Sequence, residues 1–228
     1  MPSTWLRNAV AEAIGTFALV FVAVLVVATG SGPTPTAMAN GLIIVVFVAA
    51  LGHVSGGHFN PAITLGMYLG KKIDIQGAAT YWAAQLVGSL VAALIVLMTT
   101  DREAVAAGTP VIASGVGVAA AIVVEAVATF FLVLVVFGTV VDHRSPISVY
   151  PFAIGLTVSA GVFAIGPLTG GALNPARGFG PAVVGGEWGG VAAWLIGPLL
   201  GGALAWAVYH YVLAPAPEVT DDEDAARP

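Results

Sequence analysis

The sequence predicts an all-α membrane protein with six transmembrane helices and two re-entrant half-helices, arranged as an inverted repeat. Three observations support this fold class: a strongly apolar composition, six apolar stretches of bilayer-spanning length, and two halves that repeat each other. Of the 228 residues, 58% are hydrophobic and only 8% are charged. A soluble domain carries roughly a quarter charged residues, because its surface faces water. The composition therefore excludes an ordinary soluble domain.

The spans follow from the length of the apolar stretches. A helix needs about 20 apolar residues to cross the hydrocarbon core. Stretches of about that length lie at 8–29, 37–55, 79–99, 111–138, 148–166 and 190–213. Two further apolar pieces begin at Asn-Pro-Ala. Each continues for about ten residues, so that as a helix it reaches about 15 Å, half of the core.

An internal repeat relates the two halves of the chain. Ala11–Val20 matches Val124–Val133, and Asn60-Pro61-Ala62 matches Asn174-Pro175-Ala176. The offset between matching residues stays at 113 or 114. Each copy holds three spans, an odd number, so the second copy enters the membrane from the opposite side, as in many transport proteins.

These features divide the chain into three parts. We expect a first repeat at 1–110, an inverted second repeat at 111–213, and a disordered acidic tail at 214–228 on the cytoplasmic side. Six crossings put both termini on one side, and four of the basic residues share it: Arg7, Lys71, Lys72 and Arg144. The positive-inside rule then predicts cytoplasmic termini for a multi-pass protein of the cell membrane.

The two Asn-Pro-Ala motifs carry the chemistry. Asn is a favoured helix N-cap and Pro a favoured first helical residue, so each motif starts a half-helix. The side-chain oxygen of Asn60 or Asn174 can accept from its own helix, which leaves the amide NH₂ to donate outward. Each half-helix also points the positive end of its dipole at the midplane. Such a site favours neutral solutes that carry oxygen and opposes cations and protons.

Charged residues within the apolar stretches are few and costly. Glu12 and Glu125 match in the repeat, and we expect each to accept hydrogen bonds from the non-helical backbone of a re-entrant loop. A proton or ion relay is the alternative interpretation of these two acids. His53 and His58 are expected to support the first loop, with His58 near the pore. Metal ligands do not cluster in the sequence, so no metal or other cofactor is expected.

The motifs resemble the two signature loops of the aquaporin, or major intrinsic protein, family. The similar segments are Gly52–Ala62 and Asn174–Arg177, and the resemblance covers 5–213. It implies six tilted helices, two re-entrant half-helices and a homotetramer with one pore per subunit. It also implies that Arg177 lines the narrowest part of the pore. The loops are short, which is similar to bacterial water channels.

The same resemblance implies a selectivity filter at four positions. They are Asn40, Val162, Gly171 and Arg177. None of the four is aromatic or His, whereas the family's water-selective members have an aromatic residue and a His at the first two. We therefore expect a wider opening that passes water together with a small neutral solute such as glycerol, urea or an undissociated metalloid acid.

Other classes of protein fit the sequence less well. A secondary transporter can also be built from inverted repeats, but it needs coupled ion sites and a moving repeat. A structural membrane protein with a vestigial pore does not require both Asn-Pro-Ala motifs and Arg177. An intramembrane enzyme requires a nucleophile with a base, or a metal site. Nucleic-acid binding lacks a basic patch. The expected partners are therefore the lipid bilayer, water and small neutral solutes.

Overall fold

The computed structural model describes residues 4–146 and 148–215. Apart from residues 214 and 215, the predicted acidic tail lies outside the described residues. Within the described ranges, nine α-helices follow one another: α1 Thr4–Ala28, α2 Pro33–Ser55, α3 Pro61–Leu69, α4 Ile75–Thr99, α5 Arg102–Ala107, α6 Val118–Val136, α7 Tyr150–Thr169, α8 Pro175–Gly185 and α9 Val191–Val208.

Six of these helices are long and apolar enough to cross a membrane: α1, α2, α4, α6, α7 and α9. They confirm the six predicted spans and the all-α fold class. α3 has nine residues and α8 has eleven, so both have the length expected of the half-helices. α6 and α9 each continue into a π-helical turn, at Phe137–Val141 and Tyr209–Leu213, which the sequence pattern did not predict.

Two helix boundaries differ from the prediction for local reasons. α6 begins at Val118 instead of near residue 111, because Gly115 adopts a φ of 85° and Gly117 is the N-cap. The short helix α5 lies between two predicted spans, where the sequence pattern did not predict a helix. The side chain of Asp101 starts it by accepting from the backbone N–H of Ala104 at 2.8 Å.

The connection between α6 and α7 is held by an ion pair at the surface. The guanidinium of Arg144 donates from Nε to Asp142 Oδ1 at 2.8 Å and from Nη2 to Asp142 Oδ2 at 2.5 Å. These hydrogen bonds hold the pKa of the Asp142 carboxyl well below its usual range. An exposed pair of this kind adds little to global stability, so its effect is local to the turn.

Glycine allows the long helices to pack in backbone contact. α1 packs along α4, and the repeat-equivalent α6 packs along α9. A Cβ built on Gly88 of α4 would lie 2.2 Å from the carbonyl oxygen of Ala13, and one on Gly201 of α9 would lie 2.2 Å from that of Ala126. Small residues at helix contacts are typical of membrane proteins, where close packing drives association. The same helix–helix contact thus occurs once in each repeat.

We expect Gly88→Ala and Gly201→Ala to destabilise the protein by about 1–3 kcal/mol each, because the added methyl group overpacks a backbone contact. Thermal unfolding of the purified protein in detergent measures the effect. Gly138→Ala is the matched control, since a Cβ at Gly138 would have no neighbour within 4 Å in the described part of the chain. Equal melting temperatures for all three variants would contradict the packing argument.

Candidate functional site

The two half-helices meet at their N-termini, and each is capped by its own asparagine. Asn60 Oδ1 accepts from the N–H of Ala62 at 2.8 Å. Asn174 Oδ1 accepts from the N–H of Ala176 at 2.9 Å and from that of Arg177 at 3.4 Å. Pro61 and Pro175 are the first residues of α3 and α8. The local structure of both motifs is therefore the one that the sequence predicts.

Each asparagine also binds the opposite half of the protein. Asn60 Nδ2 donates to the carbonyl oxygen of Leu173 at 2.8 Å, and Asn174 Nδ2 donates to that of Phe59 at 2.8 Å. An amide nitrogen carries two hydrogens. One of them joins the two repeats, so only the second remains for a solute. The sequence predicted an NH₂ group that donates outward, but not that one of its hydrogens would bind the other repeat.

The backbone before each motif follows the same unusual path. Positive φ angles occur at Gly56, Gly57 and Phe59 in the first loop and, at the matching positions, at Gly170, Gly171 and Leu173 in the second. Phe59 and Leu173 adopt φ angles of 48° and 52°, which are uncommon for residues with a side chain. Such a path leaves backbone N–H groups outside any helix, and these groups need partners.

Glu12 supplies those partners in the first loop. Its carboxylate is fully buried on α1 and accepts from the N–H of His58 at 2.9 Å and from that of Phe59 at 2.6 Å. It also accepts from the hydroxyl of Ser55 at 2.7 Å and from the amide of Gln85 at 2.8 Å. These contacts occupy both carboxylate oxygens with loop and helix donors.

Glu125 does the same in the second loop with one partner fewer. It accepts from the N–H of Ala172 at 2.8 Å, from that of Leu173 at 2.9 Å and from the hydroxyl of Thr169 at 2.6 Å. The repeat partner of Gln85 is Pro198, which has no donor to offer. Sequence analysis missed the role of Gln85, although a polar residue matched to a proline in an otherwise apolar repeat was a visible signal.

A narrow cavity, the central lumen, runs past both asparagines. It is lined by Leu19, Asn40, Ile44, Val48, Gly57, His58, Asn60, Ile63, Leu132, Ile154, Val158, Val162, Ala172, Leu173, Asn174 and Arg177. Its volume is about 20 Å³. A water molecule needs about 10–15 Å³ of such space, so the lumen has room for water. Apolar side chains form most of the wall and polar atoms are few.

A wider cavity, the vestibule, opens at one end of the lumen. Its volume is about 540 Å³, and it lies between the C-terminal end of α1, the N-terminal end of α2 and the segment that follows α5. Arg177 and Val162 line both the vestibule and the lumen. These two residues therefore stand at the boundary between the wide and the narrow part of the path.

Arg177 is buried at this boundary, with 4% of its surface exposed. Its Nη1 donates to the carbonyl oxygen of Gly108 at 2.6 Å. Its Nε is buried and has no hydrogen-bond partner among the described residues. A fixed guanidinium here repels cations and can donate to a passing solute.

The structure brings together three of the four predicted filter residues. Asn40, Val162 and Arg177 line the lumen, whereas Gly171 does not. Gly171 lies behind Val162, since a Cβ built on it would be 3.1 Å from the Cα of Val162. The amide nitrogen of Asn40 donates to the carbonyl oxygen of Thr36 at 2.7 Å, which fixes the orientation of this side chain.

The two histidines of the first loop differ in position. His58 lines the lumen, and its Nδ1 lies 3.0 Å from the hydroxyl oxygen of Thr64. His53 instead lies on the last turn of α2 and is exposed, so the prediction that it supports the loop is corrected. Across residues 4–146 and 148–215, no group of three His, Asp or Glu side chains is placed to hold a metal ion.

Known proteins are similar to this chain over most of its length. The family model described as Major intrinsic protein matches residues 2–209. Aquaporin TIP4-4 of Zea mays is 44% identical over 217 residues, which cover 89% of this chain and 85% of the relative. Probable aquaporin TIP2-2 of Arabidopsis thaliana is 42% identical over 193 residues, which cover 82% and 76%. Both are plant proteins, which does not support the predicted similarity to bacterial members.

A solved structure shows the same fold. The X-ray structure of the aquaglyceroporin from Plasmodium falciparum aligns with a TM-score of 0.81, at 23% identity, over 92% of this chain and 98% of that one. At this identity the similarity concerns the fold alone. The six spans and the two short helices thus have a counterpart among experimental structures.

We expect Glu12→Ala and Glu125→Ala to lower the yield and thermal stability of the protein. Each change leaves buried backbone N–H groups unpaired, at about 1–3 kcal/mol per group. The measurements are yield after membrane extraction and thermal unfolding in detergent. Glu103→Ala, at an exposed position on α5, is the control for loss of a carboxylate. Wild-type stability in both buried variants would show that the loops do not depend on these carboxylates.

Proposed function

The chain belongs to the major intrinsic protein family, and on that basis we propose a channel that conducts water, passes a small neutral solute and excludes ions. Family membership makes it a passive transmembrane channel for water and small solutes, and not an enzyme. Our proposal concerns the finer points: the solute, the residues that select it, the orientation and the assembly.

The proposal rests on the side chains that line the lumen next to Arg177. Asn40 and Val162 line the lumen there, and neither has a ring that would fill the space beside the guanidinium. The vestibule reaches Val162 and Arg177, so the path stays wide up to this level. We propose that this opening passes water and slender neutral solutes such as urea, and admits bulkier ones such as glycerol more slowly.

Exclusion of ions is supported by the charges that face the path. The cation of Arg177 stands at the entrance to the lumen, and the N-termini of α3 and α8 bring two positive dipole ends to its middle. We propose that Asn60-Pro61-Ala62 and Asn174-Pro175-Ala176 form the central constriction. Asn40, Val162 and Arg177 form the filter with Gly171 behind it, and Glu12 and Glu125 support the loops.

Orientation and assembly are part of the same proposal. Six crossings return residue 215 to the side of residue 4, and the basic residues on that side support cytoplasmic termini. The vestibule then faces away from the cytoplasm. A location in the cell membrane remains a prediction. The family resemblance supports a homotetramer, and because one chain encloses a whole lumen, each subunit has its own pore.

The first test of the proposal is solute flux. Proteoliposomes of the purified protein should shrink rapidly in an osmotic step and should admit urea above the rate of empty liposomes, with glycerol slower than urea. Stopped-flow light scattering measures all three rates. Rapid water flux with neither solute above the empty-liposome rate would overturn the wide-filter interpretation.

A double substitution tests the residues assigned to that filter. Asn40→Phe with Val162→His adds two rings beside Arg177, and we expect it to reduce urea flux more than water flux. Val149→Phe is the control, because it adds a ring at an exposed position outside both cavities. An unchanged ratio of urea to water flux in the double variant would mean that the filter positions are misassigned.

The second test concerns ions. Arg177→Val should keep water flux and raise the leak of protons or monovalent cations, because it removes the fixed cation at the entrance to the lumen. A pH-sensitive dye trapped in the liposomes reports the proton leak. Arg102→Val is the matched control, since Arg102 is exposed and binds the carbonyl oxygen of Gly185 through Nε. An unchanged leak in Arg177→Val would assign exclusion to the Asn-Pro-Ala centre alone.

A further inference from the structure

Ser89 of α4 makes an unusual contact with the half-helix that carries Arg177. It is fully buried, and its hydroxyl donates to the carbonyl oxygen of Ala176 at 2.5 Å and accepts from the N–H of Gly180 at 2.8 Å. These two backbone groups are four residues apart, which is the pair that an α-helix joins directly. The hydroxyl therefore lies between the carbonyl and the N–H of one helical hydrogen-bond pair of α8, and Arg177 directly follows the first residue of that pair.

The turn of α8 beside this contact has a gap in its own hydrogen bonding. Pro181 lies inside α8 and has no N–H, so the carbonyl oxygen of Arg177 lacks the donor that an uninterrupted helix would give it. The Ser89 hydroxyl does not fill this gap, but it binds the adjacent pair of backbone groups, Ala176 and Gly180, from a neighbouring span. Ser89 thus holds the first turns of α8 against α4.

The contact is too close to be incidental packing. A Cβ built on Gly180 would lie 2.2 Å from the carbonyl oxygen of Ser89 and 2.4 Å from its Oγ. The two backbones touch because residue 180 has no side chain. The position of α8 along α4 is therefore defined within a narrow range by the backbone contact at residue 89, and the hydroxyl adds two hydrogen bonds to it.

The other half of the protein has no such hydroxyl. In the repeat, Gly202 of α9 matches Ser89, and a Cβ built on it would lie 2.6 Å from the carbonyl oxygen of Ala62. The residue of α3 that matches Arg177 is Ile63, which is buried and apolar. The serine is thus present only in the half of the protein whose half-helix carries the charged Arg177.

Arg177 itself has few other restraints. Its side chain makes one hydrogen bond, to Gly108, and its Nε has no partner within the described part of the chain. We infer that Ser89 is a positioning residue, which sets the place of the Arg177 guanidinium at the entrance to the lumen by holding α8. This inference rests on the proposed role of Arg177 in excluding ions.

The test compares Ser89→Ala with Ser159→Ala, a matched control in which the lost hydroxyl is buried but has no hydrogen-bond partner among the residues that the structure describes. Ser89→Ala removes both hydrogen bonds of the hydroxyl, and a net cost equal to about one hydrogen bond makes a displaced arrangement about fivefold more populated. We therefore expect Ser89→Ala to raise proton leak per unit of water flux about fivefold and Ser159→Ala to leave it unchanged. Ser89→Cys, which keeps a weaker polar hydrogen, should give an intermediate leak.

A combined variant separates positioning from general stability. Ser89→Ala added to Arg177→Val should leave the leak at the level of Arg177→Val alone, because the group being positioned is already gone. The inference is overturned if Ser89→Ala raises the leak by the same factor in the Arg177→Val background as in the wild type. It is also overturned if Ser89→Ala leaks no more than the wild type, or if Ser89→Cys leaks as much as Ser89→Ala. Two other results would contradict the proposed function itself: a wild type that conducts no water, or Arg177→Val that does not leak.

Discussion

Two half-spans can exist in a membrane only if their non-helical backbone is hydrogen-bonded, and this requirement governs the centre of the molecule. Each loop leaves backbone N–H groups at membrane depth, where no bulk water can satisfy them. Glu12 and Glu125 satisfy them from the neighbouring spans α1 and α6. The cost of a buried carboxylate is offset because its oxygens receive several donors at once. Once the loops are held, the asparagines, the half-helix dipoles and the lumen have defined positions.

The two repeats share a backbone path but differ in the hydrogen bonds of their loops and in the charge of their half-helices. The first loop is tied more fully, since Gln85 adds a donor to Glu12 and also donates to the hydroxyl of Thr64 at 3.0 Å. That network ends at His58, which lines the lumen. The second loop has no equivalent amide, but its half-helix bears Arg177. The repeated backbone thus supplies the architecture, and differences at single positions give each half its own chemistry.

The sequence alone was sufficient for the parts of the fold that depend on length and repetition. Six apolar stretches gave six helices, and Asn followed by Pro gave both caps, because these signals are local. The sequence did not indicate α5 or the π-helical turns, whose stability depends on single hydrogen bonds and on packing. The contacts of Ser89 were hidden, because its partners on α8 are 87 and 91 residues away. Gln85 differed in this respect, since its match to Pro198 in the repeat was a signal that could have been used. His53 was predicted to support the first loop, but it lies exposed on the last turn of α2, which ends at the left-handed Gly56.

The hydrogen bonds that join Asn60 to Leu173 and Asn174 to Phe59 also constrain how the protein is made. A ribosome completes the first loop long before residues 173 and 174 emerge, so that loop spends the interval without its final donor and acceptor. Contacts of such sequence separation form late, because the closure of a long loop is entropically costly. The first three spans can insert early, but the middle of the pore is assembled only after the second repeat has entered the bilayer. The conducting state therefore forms only when both halves are in place, even though each half encodes its own helices.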